Sequence, residues 1–332
     1  MNLKERMDLI AQLRNYMLSG DLSWEQAKEN AVIANPWFIP AFIDLSIKNI
    51  TENYLNSREL EHWISEHAIP ETNLHPKIIG IVMAGNIPMV GFHDLLSVFV
   101  SGHHAKIKLS SKDNVLIKHL VEMMQSWRPE LAESLKFEET LKSCDAYIAT
   151  GSNNSSRYFD YYFQKYPHII RRNRTSVAIL TGDETPEELN KLADDIHLYF
   201  GLGCRNVTKI YVPVNYNFQS LLEALKKYDY FMDHFKYKNN FDYMFSIHLL
   251  NQTKYMTEGH VLLVEDPSLY SPVSQLNFEY YTDVSTLKKS LENHPQLQCI
   301  VGRGNIDFGQ AQSPGLMDHA DGVNTLAFLR SL

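Results

Sequence analysis

A chain of 332 residues, 44% of them hydrophobic, is long enough to fold as two associated domains. Its 31 basic and 39 acidic residues are well mixed and give a net charge of -8, which argues against a nucleic-acid-binding face. Three cysteines, Cys144, Cys204 and Cys299, supply no disulfide framework and fit a reducing, cytoplasmic setting. No uninterrupted apolar run reaches membrane-spanning length, because His93 and Asp94 break the most apolar stretch.

Taken in chain order, the first 70 or so residues read as helices. Residues 1–19 form an amphipathic pattern and not a signal peptide. A second helix is expected from 23 with Ser23 as its N-cap, a third over 39–49, and a fourth over 57–67 with Leu60, Trp63 and Ile64 on one face. The character changes at Lys77. Residues 77–83 are a continuous apolar run, the pattern of a strand buried on both faces of a parallel sheet. Further strands are expected at 105–109, 146–150 and 176–181, separated by helices over 90–100, 114–127 and 156–166. That alternation implies right-handed crossovers and an open parallel sheet, whose ligands bind at the carboxyl ends of the strands.

Thr185-Pro186-Glu187-Glu188 opens the next helix with an N-cap, a first-turn proline and a capping-box carboxylate. Apolar residues at helical spacing carry it to about Phe200, and a strand follows over 208–212. Between them Cys204 sits on a turn flanked by Gly201 and Gly203, a placement that suits a nucleophile, though a small core cysteine has the same composition. A second αβ region follows, with a helix over 218–228, strands at 259–264, 278–282 and 297–301, and helices over 285–293 and 323–332. The aromatic-rich stretch 228–255 faces a substrate or a copy of the chain, without the sequence deciding which. The expected division is 1–175 and 176–332.

Besides Cys204, three spots could carry chemistry. Asn86, on the turn Ala84-Gly85-Asn86-Ile87-Pro88, could donate a hydrogen bond to an oxyanion or merely bond its own turn. Lys108, followed by Ser110, ends a strand where a ribose or phosphate could be met, or where a lysine simply snorkels. Thr150-Gly151-Ser152 is a strand-to-helix turn able to approach a cofactor. His103-His104 and His319 lack metal-ligand spacing, so no metal is expected.

Together, MAGNIP around Asn86, AKIKLSSKD around Lys108, IATGS ending at Ser152, RRNRTSVAIL and FGLGCRNVTKIYVP around Cys204 resemble the aldehyde dehydrogenase superfamily. Within it, the chain is most similar to the fatty acyl-CoA reductases related to the reductase component of bacterial bioluminescence. The resemblance implies two parallel-sheet α/β domains behind an N-terminal helical segment. It implies Cys204 as the acylated nucleophile and Asn86 as the oxyanion donor. Lys108 and Ser110 would hold the adenosine ribose or its phosphate, and Thr150, Gly151 and Ser152 would lie by the nicotinamide of NADPH or NADH. Leu109 replaces the proline that usually follows the lysine, and the turn after Gly151 lacks the family's usual acidic and Gly positions.

Hydrolytic members keep a glutamate upstream of the cysteine to activate water. Here residues 161–182 contain no Asp or Glu. The implied activity is therefore reduction of an acyl-CoA or other acyl thioester to an aldehyde. Reduction of an acyl phosphate or a carrier-protein thioester is the alternative enzyme, and a non-catalytic binding subunit is the alternative of another class. An acyl-carrier partner would need a basic patch, for which Lys106, Lys108 and residues 171–174 are the candidates. A homo-oligomer and an acyl-transfer partner stay open.

Overall fold

The computed structural model describes residues 1–151 and 153–332, which divide into two compact units. The first comprises residues 1–173 and 314–332, the second residues 174–313.

The first unit begins with α1 (Leu3–Met17), α2 (Leu22–Ala34), α3 (Pro40–Asn49) and α4 (Ser57–Glu66). The N-cap of α2 is Asp21 rather than the expected Ser23, because the Asp21 carboxylate accepts the Ser23 backbone N–H at 2.8 Å. Next come β1 (Ile78–Val82), α5 (Phe92–Val100), β2 (His104–Lys108), α6 (Leu116–Trp127), α7 (Leu131–Ser134) and β3 (Leu135–Phe137). The unit's sheet is completed by β4 (Ala146–Thr150), α8 (Asn153–Phe163) and β5 (His168–Arg171). All strands are parallel in the order β3-β2-β1-β4-β5. The order reverses direction at β1, so the carboxyl ends of β1 and β4 flank the switch point where open α/β sheets bind ligands. Trp24, Trp63, Phe38 and Ile43 are almost fully buried in one continuous core with Ile79, Ile81 and Ile148.

The second unit contains β6 (Thr175–Ile179), α9 (Pro186–His197), β7 (Val207–Pro213), α10 (Gln219–Leu225), α11 (Phe235–Leu250) and β8 (Tyr255–Thr257). It continues with β9 (Leu262–Glu265), β10 (Gln275–Tyr281), α12 (Val284–Leu291) and β11 (Leu297–Val301). Its strand order is β11-β6-β7-β10-β9-β8, parallel except for β8 against β9. The aromatic-rich stretch after residue 228 turns out to be mostly the helix α11. Among the described residues no helix is long and apolar enough to cross a membrane.

The largest departure from expectation is the tail. Residues 314–332, ending in α13 (Thr325–Arg330), pack in the first unit and not with the residues just before them. Leu326 and Leu329 join the first core, and the Leu329 carbonyl bonds His103 Nε2 at 3.0 Å. The polar tie is Arg171, at the end of β5. Its guanidinium donates to Asp94 Oδ1 at 2.7 Å, to Thr325 Oγ1 at 2.7 Å and to the Ala320 carbonyl at 2.8 Å. Arg171 is 5% and Asp94 7% exposed. Burial pushes the Asp94 carboxyl up, but the Arg171 charge and the hydrogen bonds from His93 and Arg171 outweigh it and hold the group below the usual carboxylate range. Such a pair resists removal of one partner, since the other charge is left buried.

Arg171→Met is therefore expected to destabilise the first unit by about 3–5 kcal/mol, and the double replacement of Arg171 and Asp94 by Leu by clearly less. Urea unfolding followed by tryptophan fluorescence measures this, because Trp24, Trp37, Trp63 and Trp127 all belong to that unit.

Candidate functional site

Two clusters hold the side chains of interest, one in each unit.

In the first unit the chain leaves β1 through Gly85 and Asn86. Asn86 is exposed at the turn. The turn is locked from behind by the segment that follows β2. The Met83 N–H donates to the Lys108 carbonyl at 3.0 Å, and the Met89 N–H donates to Asp113 Oδ2 at 2.7 Å. Met89 takes a left-handed φ of 56° to reach it. Gly85 packs directly on Ser110. A Cβ there would lie 2.6 Å from Ser110 Oγ and 3.0 Å from the Asp113 backbone nitrogen, so only glycine fits without movement. The Asn86 turn and the Lys108–Ser110 turn are thus built back to back.

Asp113 entered the sequence reading only as the last residue of AKIKLSSKD, with no role assigned to it. It is 4% exposed, and burial pushes its carboxyl up to about 7 against the opposing hydrogen bond from Met89. The signal available was only an Asp two residues after Ser111, in a turn where acidic residues are common.

Lys108 is exposed and forms no ion pair with a carboxylate among the described residues. Ser110 is half-buried, and its hydroxyl accepts the Lys112 N–H at 3.2 Å. An unneutralised ammonium, hydroxyls and a close backbone approach at a sheet switch point fit the ribose and phosphates of a dinucleotide. Thr150 ends β4 across that switch point, and the Gly151 N–H donates to the Arg171 carbonyl at 3.3 Å. Ser152 lies outside the described residues.

The basic patch weighed for an acyl-carrier partner is largely spent on internal bonds. Arg171 is buried with Asp94, Arg172 pairs with Asp160 at 2.7 Å, Arg174 donates to the Leu297 carbonyl, and Lys106 donates to the Lys142 carbonyl.

In the second unit α9 buries Leu189, Leu192, Ala193 and Ile196, and it starts with the expected capping box from Thr185 and Glu188. After it the backbone does something the sequence did not announce. Tyr199, Phe200 and Gly201 all take left-handed φ values, of 56°, 56° and 73°. Glycine does so readily; two bulky aromatics do so only when packing dictates it. Phe200 is 2% exposed, with its ring centroid 4.5 Å from those of Phe231 and His234. The left-handed run turns the chain sharply into Gly203 and places Cys204 on an exposed turn ahead of the amino end of β7.

That turn is closed by Asn206, which is fully buried. Its Oδ1 accepts the Gly203 N–H at 2.7 Å. Its Nδ2 faces the carbonyls of Asp195, Ile196 and Leu198 at 3.1, 3.2 and 2.8 Å. Ser176 Oγ, from β6, donates to the Cys204 carbonyl at 3.0 Å and lies 3.0 Å from Cys299 Sγ.

Cys144 is buried, and burial pushes its thiol up; Cys299 is half-buried on β11. Among the described residues no group of three or more His, Cys, Asp or Glu could hold a metal ion.

Asp195, another residue the sequence reading passed over, is fully buried and accepts the N–H groups of Gly309 and Ala311 at 2.6 and 3.0 Å. A charged residue one place from the apolar stripe of α9 was the available signal. His197 beside it is held neutral, since burial and then His260 push it down to about 3.

No protein-family model and no curated protein matches the chain by sequence. Solved structures do match by shape. Aldehyde dehydrogenase 21 from Physcomitrella patens, solved with its reaction product succinate, is 12% identical, with 91% of this chain and 74% of that one aligned at a TM-score of 0.67. An NAD-dependent aldehyde dehydrogenase from Sinorhizobium meliloti is 11% identical over 94% and 72% of the two chains, with a TM-score of 0.67. The NAD+ complex of an aldehyde dehydrogenase from Bacillus cereus is 11% identical over 89% and 70%, at 0.65. The chain has the aldehyde dehydrogenase fold.

Asp195 also makes the second unit sensitive to pH. Burial pushes its carboxyl from 3.8 up to about 7, against the bonds from Gly309 and Ala311. The folded state therefore binds the proton more tightly than the unfolded one. The stability this contributes is fully present below pH 3.8 and is lost as pH rises through about 7. Asp195→Asn is expected to remove this falling contribution, so that the urea midpoint, followed by far-UV circular dichroism, drops less or rises more across that window than in wild type. Asp113, raised to about 7 as well, adds a falling slope of its own, and the neutral His197 a rising one.

Proposed function

We propose that the protein is an acylating, nicotinamide-dependent reductase that converts an acyl-CoA or related acyl thioester to an aldehyde. The observation that carries this reading is Cys204, an exposed thiol on a turn braced by buried hydrogen bonds, in a chain with the aldehyde dehydrogenase fold. The structural relatives solved with NAD+ support a nicotinamide cofactor, NADPH or NADH.

In the proposed first half, the Cys204 thiolate attacks the thioester carbonyl. The Asn86 amide and the Cys204 backbone N–H are the proposed donors to the resulting oxyanion. The carbon–sulfur bond to CoA then breaks, CoA leaves as a thiol after taking a proton, and an acyl group remains on Cys204. Lys108, Ser110, Thr150, Gly151 and Ser152 are the proposed cofactor contacts, Lys108 facing phosphate or ribose. A bound reduced nicotinamide would supply the hydride that takes this thioester to the aldehyde level. Cys204 is then the leaving group, and the aldehyde departs as the thiolate is restored.

The direction of the reaction rests on what is missing. Residues 161–182, upstream of Cys204, hold no Asp or Glu. A positioned general base contributes about 10²–10⁴-fold, so without one water should attack the acyl-enzyme slowly.

Two experiments test this. Mixing the protein with an acyl-CoA and no reductant should add one acyl mass at Cys204, stable in water until NADPH releases aldehyde or CoA reverses it. Cys204→Ala should give no adduct and no aldehyde. Rapid release of free fatty acid would overturn the reductase reading. Separately, Asn86→Ala should lower kcat by about 10²–10³-fold, the usual effect of losing one oxyanion donor. A change confined to KM would assign Asn86 to the turn alone.

A further inference from the structure

We infer that Asn206, assisted by Ser176, is the positioning residue that sets Cys204 for attack, an inference that rests on the acylating role proposed for that thiol. Every polar group of Asn206 is committed to the turn or to its two flanks. Its N–H donates to the Gly203 carbonyl at 3.1 Å, and its own carbonyl accepts the Ser176 N–H at 3.2 Å. Its side-chain oxygen takes the Gly203 N–H at 2.7 Å. Gly203, the residue before the nucleophile, is therefore bonded to Asn206 through both its N–H and its C=O. The Cys204 carbonyl is pinned too, accepting from Ser176 Oγ at 3.0 Å. Cys204 is thus fixed on both sides by its backbone while its side chain stays exposed.

The chemistry at position 206 admits little else. The Gly203 N–H can only donate and the carbonyls of Asp195, Ile196 and Leu198 can only accept, so the side chain must offer an acceptor at one end and a donor at the other. Asparagine does so at this length. Aspartate has the same shape but turns an oxygen toward three carbonyls inside a site with no solvent access. The bonds also anchor the turn to the end of α9 and to β6, both rigid elements, and nucleophiles lose rate steeply when displaced by an ångström.

The test compares full-length wild type with Asn206→Asp and Ser176→Ala. Acylation of Cys204 by an acyl-CoA is timed by intact mass, and alkylation of Cys204 and Cys144 by iodoacetamide is timed by peptide mass. Acylation is expected to fall about 10²-fold in Asn206→Asp. In Ser176→Ala the expected loss is about fivefold, the equivalent of one ordinary hydrogen bond. Iodoacetamide, which demands no orientation, should alkylate Cys204 within about threefold of wild type in both variants. Asn206→Asp that melts cooperatively and acylates at the wild-type rate overturns the inference. So does alkylation of Cys144 that rises as acylation falls, which would mean general loosening. Should Asn206→Asp fail to fold, Ser176→Ala decides, and unimpaired acylation there is equally fatal. A wild type that takes no acyl group at all defeats the acylating reading and the positioning role together, whereas acylation equal in all three proteins defeats the positioning role alone.

Discussion

A helix that ends inside a protein leaves carbonyls that must find donors, and α9 meets that requirement with one side-chain amide. Asn206 faces three carbonyls around the end of α9 and in the same act ties down the residue before Cys204. The conformation of Tyr199 and Phe200 follows from this. With the helix end and the turn both fixed, the chain between them is short and must curl left-handed. Each non-glycine residue held that way costs about 1–3 kcal/mol. Burial of the Phe200 ring against Phe231, His234 and Tyr237 offsets it. The exposed thiol is the product of a strained backbone held by buried polar bonds.

Buried acids fall into two opposite cases. Asp94 has a full cationic partner in Arg171 and stays ionised. Asp113 and Asp195 have only backbone N–H groups facing them, and burial prevails. Neutral hydrogen bonds orient a carboxyl without compensating its lost hydration, whereas a guanidinium does both. The acids that shape loops beside the candidate site are for that reason the ones poised to exchange protons near neutrality.

What the sequence made legible was whatever obeys a period or a local rule. The run 77–83 reads as a doubly buried strand because both faces of β1 are covered, and Ala146–Thr150 is the strand the alternation implied. The capping box of α9 is local and was visible. Strands β3 and β5 were missed because one has three residues and the other is an edge strand bounded by His168 and Arg171. Asn206 lay inside the very motif that drew attention to Cys204, yet nothing about one asparagine reveals that it will be fully buried against a helix end eleven residues upstream. Asp113 and Asp195 were illegible for the same reason: their roles lie in contacts that no spacing encodes. The tail was misplaced because sequence proximity assigns it to the second unit, while Leu326, Leu329 and the partners of Arg171 assign it to the first.

That return of the tail inverts the expected order of assembly. The second unit is one uninterrupted stretch, 174–313, whereas the first is split around it. As a chain emerges from a ribosome, the first unit can form its sheet but not finish its core, since Leu326, Leu329 and Thr325 come last. Until they arrive, Asp94 and Arg171 face each other without the tail's two acceptors, and an apolar patch stays open beside α5. Of the two units, the one begun earlier is thus the one completed later, and the long sequence separation of those contacts makes their closure a slow step.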